Sequence, residues 1–157
     1  DRKYYDTRRK KVLNKHARAN VCFSEEAQEA DFENKKGTIM AFRDLKMTNL
    51  IRDKLPEFIG INAVNLKCEG NYYFNKSKCG IGFHGDAERK KVIGLRIGDM
   101  ILKFSWFLNN KPIGRPLNLE LNDGDLYIMC EKTTGNDWKR RKVTLRHAAG
   151  CEKYTKL

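Results

Sequence analysis

The spacing of apolar positions along the chain changes near Pro56. Leu45, Leu50, Ile51 and Leu55 form one helical stripe, and Pro56 follows, so the spacing predicts a helix over 44–55. Beyond it come short apolar runs at close spacing: Val64–Leu66, Tyr72–Phe74, Ile81–Phe83, Val92–Ile97, Ile101–Phe107, Leu117–Leu121, Leu126–Met129 and Lys142–Arg146. Turn formers separate most of them, at Asn75-Lys76-Ser77, Gly98-Asp99, Asn109-Asn110 and Asn122-Asp123-Gly124. Pro112 and Pro116 belong at a connection or on an edge strand, because neither can donate to a ladder. The pattern predicts a β-rich (α+β) chain, sandwich or barrel-like, with a helical N-terminal third. No internal repeat or low-complexity segment interrupts it.

Length and composition narrow the classes. The 157 residues, 40% hydrophobic with 8 Phe, 6 Tyr and 2 Trp, suffice for about one packed core. That excludes a disordered tail, a coiled coil and a multidomain machine. No stretch approaches the roughly 18 apolar residues of a membrane span, so a soluble protein with no membrane partner is expected. The chain opens at Asp1 without an apolar leader and reads as a processed or trimmed one. Its five cysteines (Cys22, Cys68, Cys79, Cys130, Cys151) are scattered without a C-x-x-C pair. They read as free thiols in a reducing compartment, hence an intracellular protein, cytoplasmic or nuclear.

The charge is segregated. Of the net +12, residues 1–20 contribute +6 through Arg2, Lys3, Arg8, Arg9, Lys10, Lys11, Lys15 and Arg18 against two aspartates. Residues 132–146 add +5 through Lys132, Lys139, Arg140, Arg141, Lys142 and Arg146 against Asp137. Phosphate backbones are the commonest partners of such clusters, because neutralising each phosphate releases counterions. The bland alternative is a solubilising tail and a solvated loop. Tyr4, Tyr5, Phe23 and Trp138 lie in or near these segments and are candidates to stack a base, or else core residues.

Candidate chemistry centres on Gly82-Phe83-His84-Gly85-Asp86. In extended chain, residues two apart share a face, so His84 and Asp86 can offer an imidazole and a carboxylate to one ion. They supply two thirds of the two-histidine, one-carboxylate set that holds Fe(II) with open positions. The surrounding text strengthens this reading. Asn71-Tyr72-Tyr73-Phe74 precedes the H-x-D triplet by about ten residues. The apolar Val92-Ile93-Gly94-Leu95 follows it, then Asp123-Gly124-Asp125-Leu126-Tyr127-Ile128-Met129 and the closing Val143-Thr144-Leu145-Arg146. Over residues 62–150 this order of motifs resembles the AlkB-like family of iron- and 2-oxoglutarate-dependent dioxygenases.

The resemblance implies a double-stranded β-helix, or jelly-roll, over residues 61–157. Residues 1–60 would form a basic arm and a helix-containing extension or lid, within one compact domain overall. It implies His84 and Asp86 as iron ligands, Asn71 and Tyr73 as hydrogen-bond partners of the 2-oxoglutarate carboxylates, and Arg146 as their bidentate cation. Arg140 lies six residues before Arg146, the spacing of the family's paired arginines, and would be a second cation.

One departure stands out. The family's second iron histidine follows the Asp-Gly-Asp-Leu strand, often after a Trp, whereas here that stretch reads Asp137-Trp138-Lys139-Arg140-Arg141. Only His147 lies downstream. On a regular strand Arg146 and His147 face opposite ways, so both reach one site only if the strand ends or bulges between them. Three outcomes stay open: His147 as the third ligand with Arg140 or another cation holding 2-oxoglutarate, a site of two residues completed by water or a substitute, or a degenerate site in a protein that only binds. His16 sits beside Lys15 in the basic arm and reads as a surface or nucleic-acid contact.

The resulting expectation is a monomeric dioxygenase, using Fe(II) and 2-oxoglutarate, that oxidises methyl groups on nucleobases of DNA or RNA. The base would be single-stranded or flipped out of a duplex. Two alternatives remain: a non-catalytic nucleic-acid-binding jelly-roll, and a protein hydroxylase of the same superfamily.

Overall fold

The computed structural model describes residues 1–157, which divide into two compact units, Asp1–Tyr72 and Tyr73–Leu157. The expected division at residue 60 falls inside the first.

The first unit opens with a hairpin. Strands β1 (Lys3–Asp6) and β2 (Lys11–Asn14) pair antiparallel from Lys3 opposite Asn14 to Asp6 opposite Lys11. The four-residue loop between them is held by Asp6, whose Oδ1 accepts the backbone N–H groups of Arg8 and Arg9, each at 2.9 Å. β3 (Ala19–Ser24) is the centre of a three-stranded sheet. β4 (Ile39–Ala41) lies parallel to it on one side, and β5 (Cys68–Tyr72) antiparallel on the other. Between them, a 3₁₀ turn at Phe42–Asp44 leads into α1 (Lys46–Ile59). Phe42 is buried beneath the Arg52 guanidinium, 4.1 Å from its ring centre, with Phe23 at 6.4 Å.

These elements correct the expected helical N-terminal third. One helix is present, but four strands precede it. The strands of the first hairpin hold too few apolar residues to stand out from the surrounding charge, and side-chain capping by Asp6 sets the turn instead. Pro56 does not end α1, which runs one turn further and closes with the Gly60 N–H on the Pro56 carbonyl at 2.9 Å. The expected strand at 64–66 is absent, since Asn65 adopts a left-handed φ of +55° that breaks an extended run. The strand there is β5, whose last residue is all it shares with the expected 72–74.

The second unit contains β6 (Gly80–His84), β7 (Val92–Leu95), β8 (Met100–Leu108), β9 (Lys111–Leu121) and β10 (Leu126–Met129). The short helix α2 (Glu131–Thr134), β11 (Val143–Gly150) and α3 (Glu152–Thr155) complete it. All ladders here are antiparallel. Four strands form a sheet in the order β6-β11-β8-β9, and β7 pairs with β10 in a second. Leu102 and Phe104 of β8, Leu121 of β9, Met129 of β10 and Ala149 of β11 form the buried cluster, with Ile81, Val92 and Tyr127 packed against it. One face of each sheet therefore supplies the core, an arrangement compatible with a β-sandwich.

β8 and β9 are joined at Asn109-Asn110, both at positive φ (+49° and +66°), as a two-residue hairpin turn requires. Their register slips between the pairs Phe104–Leu117 and Trp106–Ile113, and β9 carries the excess residues as a bulge around Gly114-Arg115-Pro116. Pro112 and Pro116 both lie on β9, an edge strand. No helix is long and apolar enough to cross a membrane.

Candidate metal centre

The H-x-D triplet sits where β6 ends. His84 is its last residue, and Asp86 follows two positions on. Across the ladder, His147 of β11 stands directly opposite His84. Paired residues on antiparallel strands share a face, so the two imidazoles meet with ring centres 4.4 Å apart. Asp86 completes the group: its Oδ1 is 3.6 Å from His84 Nε2 and its Oδ2 is 3.9 Å from His147 Nε2. One ligand atom from each residue lies within 4.8 Å of the others. Two donors each about 2.1 Å from one ion stand about 3–4 Å apart, so the spacing suits a single cation.

Backbone acceptors set the tautomers. His84 Nδ1 lies 2.8 Å from the Gly82 carbonyl oxygen, and His147 Nδ1 lies 3.3 Å from that of Thr133. With the proton on Nδ1 in both rings, both Nε2 lone pairs face the gap. Burial pushes the His147 imidazole down to about 4, reinforced by His84 and partly offset by the Asp86 carboxylate. His147 is thus neutral, and able to ligate, at neutral pH. Arg89 donates to Asp86 Oδ2 at 3.3 Å, which orients the carboxylate.

The site is walled by the segment after β10. Asp86 N–H donates to the Thr134 carbonyl at 2.8 Å, so α2 lies against the triplet. This approach depends on two glycines. A Cβ on Gly85 would run into the Gly135 carbonyl and stand 2.8 Å from Trp138 Cδ1. Gly135 has φ +68°, and its Cβ would stand 2.5 Å from the Leu145 carbonyl oxygen. On the core side, Tyr127 lies across Gly94 on the paired strand. Burial pushes its phenol up, the Asp86 carboxylate adds to this, and Arg96 opposes it.

Arg146, by contrast, does not join the triad. The register of β11 against β8 runs unbroken from Val143 to Ala149, and the irregularity against β6 falls after His147. The strand thus neither ends nor bulges between Arg146 and His147, and they leave it on opposite faces. The predicted role of Arg146 beside the iron therefore needs correcting: the strict alternation of β11 turns its guanidinium away from the triad. It is buried over the Phe107 ring at 4.4 Å and the Trp138 ring at 5.2 Å, and it donates to Thr144 Oγ1 and Asn110 Oδ1. Arg140 is exposed and lines a cleft of about 530 Å³ with Glu131, Lys132, Asn136, Asp137 and Arg141. Asn71 belongs to the first unit, where its Oδ1 accepts from Arg18 Nε at 2.6 Å. Tyr73, half-buried, opens the second unit.

Sequence reasoning missed Arg89, Thr133 and Gly135. The i,i+3 spacing of Asp86 and Arg89 was a visible signal for the first. A backbone acceptor and a loop approach leave none.

No family model matches the chain, and no solved structure matches it. An uncharacterized protein of Acanthamoeba polyphaga mimivirus is 45% identical over 148 residues, a match covering 93% of this chain and 58% of that protein. The chain thus spans less than two thirds of this relative's length.

Proposed function

We propose that the second unit is a metal-dependent oxygenase of the AlkB-like kind on a jelly-roll core, with Fe(II) held by His84, Asp86 and His147. It would oxidise methyl groups on nucleobases. The observation that carries this reading is the gathering of two imidazoles and one carboxylate, with a ligand atom of each within 4.8 Å of the others. This donor set leaves positions open on the ion for oxygen and a co-substrate. Iron bound there would supply the oxidising power for a C–H bond, releasing an N-methyl group as formaldehyde or leaving a base methyl oxidised.

The chain's own residues hold and shield the ion. The His84 and His147 imidazoles are oriented by the Gly82 and Thr133 carbonyls, and burial keeps that of His147 neutral. Asp86 supplies the anionic ligand, braced by Arg89, and α2 closes one side. The residues fit the metal. For the 2-oxoglutarate that the resemblance names, the fit fails at the cation, because Arg146 points away from the triad. No binding geometry for 2-oxoglutarate follows from this site.

An anaerobic titration tests the reading in two stages. Co(II) should give ligand-field absorbance at one equivalent, lost in both His84→Ala and His147→Ala. Fe(II) with 2-oxoglutarate then tests the co-substrate: a visible charge-transfer band would mean that a cation other than Arg146 holds it, and methylated oligonucleotides should release formaldehyde where methylated peptides do not. Co(II) absorbance without the band would retain the metal and reject 2-oxoglutarate. Loss in His84→Ala alone would reduce the site to two residues. Absence of metal binding would favour the non-catalytic binding protein, and turnover of peptides alone would favour the protein hydroxylase.

A further inference from the structure

The basic N-terminal segment is folded as a ribbon, and its geometry points to a specific use. We infer that the β1–β2 hairpin is a binding surface for single-stranded nucleic acid, its tip holding phosphates and Tyr4 stacking a base. This rests on the reading above only for the class of partner, and its own residues all belong to the first unit.

Four successive basic residues, Arg8, Arg9, Lys10 and Lys11, occupy the tip, and all are exposed. None makes an ion pair within 4 Å. The loop that carries them is braced from within: Asp6 ties the Arg8 and Arg9 amides, and Lys10 takes the left-handed φ of +51° that closes the turn. The charges are therefore presented on a set backbone rather than on a loose tail, which lowers the ordering cost of binding.

The ribbon's two faces differ. Cross-strand partners share a face, so Tyr4, Asp6, Lys11 and Leu13 lie on one side, and Lys3, Tyr5, Val12 and Asn14 on the other. Tyr5 is half-buried and has the Lys35 ammonium 5.6 Å from its ring centre. Tyr4 is 39% exposed, with Lys11 diagonally across from it. The Tyr4 hydroxyl donates to the Asp6 carboxylate at 3.5 Å, which leaves the ring face open on the side that leads to Lys11 and the tip. An open aromatic ring near cations is the pairing that sequence-tolerant single-strand binders use. A lipid surface fits less well, since Thr7-Arg8-Arg9-Lys10 offers no apolar side chain to insert.

The test is fluorescence anisotropy on the full chain without added metal. The probe is oligothymidine of about 12 nucleotides, within the span of one such surface. The same-length duplex and phosphatidylserine vesicles are comparison arms. Arg8→Gln/Arg9→Gln/Lys11→Gln removes three charges and spares Lys10, whose φ the turn needs. The slope of log K against log salt should fall by about 2, at roughly 0.7 for each phosphate no longer neutralised. Tyr4→Ala should weaken binding about ten-fold with that slope unchanged. Co(II) binding by both variants should equal that of the parent, which reports the second unit, and an unchanged far-UV circular dichroism spectrum should report that the first unit stays folded. An unchanged slope in the triple variant, tighter binding of the duplex, or binding of vesicles but not oligothymidine would each overturn the proposal. Loss of Co(II) binding in the parent, with oligothymidine binding intact, would sink the oxygenase reading and leave this one standing.

Discussion

At the scale of single residues, the candidate metal centre combines groups that are awkward together without a cation between them. His147 must stay neutral beside a carboxylate that would favour its protonated form, and burial decides the contest. The consequence is a pH dependence of definite sign. The unfolded chain takes up a proton on this imidazole near pH 6.5, whereas the native state resists until about 4. Between those values the unfolded state binds more protons, so the metal-free protein loses stability as pH falls. Urea midpoints measured from pH 6.5 to 5 should show a loss of about 2 kcal/mol that is absent in His147→Gln. Equal pH slopes in the two proteins would contradict the burial of a neutral imidazole. Well above pH 6.5 this group contributes no slope.

At the scale of elements, the strands that carry charge-free alternation are the legible ones. Leu126–Met129 is legible to the residue because Asn122-Asp123-Gly124 punctuates its start and its own apolar run marks its length. β6 and β8 are likewise legible, with ends displaced by a residue or so. The first hairpin is not, because capping rather than burial defines it. The opposed directions of Arg146 and His147 follow from the pleat, whereas Asp86 stands just beyond the end of β6 and is held beside His84 by its N–H bond to the Thr134 carbonyl. That His147 faces His84 depends on which strands pair, and this is a long-range fact with no local signature. The approach of α2 to the triplet is equally hidden, and it makes the sharpest prediction at this scale. Gly135→Ala combines a left-handed backbone with a clash against the Leu145 carbonyl. It should cost about 1–3 kcal/mol and weaken Co(II) binding at least ten-fold by displacing Thr133 from His147. Unchanged Co(II) affinity would show that α2 does not brace the site.

At the scale of the whole molecule, the excess charge is concentrated on a ribbon in one unit and a segment beside the His84–Asp86–His147 group in the other. Metal binding and polyanion binding are therefore expected to respond differently to salt, the first weakly and the second steeply. The β8–β9 hairpin bears on a different property, how the protein behaves when crowded. β9 is long and lies at an open edge, the feature by which chains add to one another as extra strands. In a two-residue hairpin, Leu108 and Lys111 exchange the first ladder bonds, which turns the nitrogen of Pro112 outward. Proline there sacrifices no internal bond yet leaves an incoming strand without a donor, and the bulge at Gly114–Pro116 interrupts the template again. Pro112→Thr should restore the donor with little change in thermal midpoint. Light scattering at high protein concentration should then rise well above that of the parent, and equal scattering would mean that the edge is protected by something other than its prolines. These prolines, on a strand two places across the sheet from His147, would then set the concentration the protein tolerates before it self-associates.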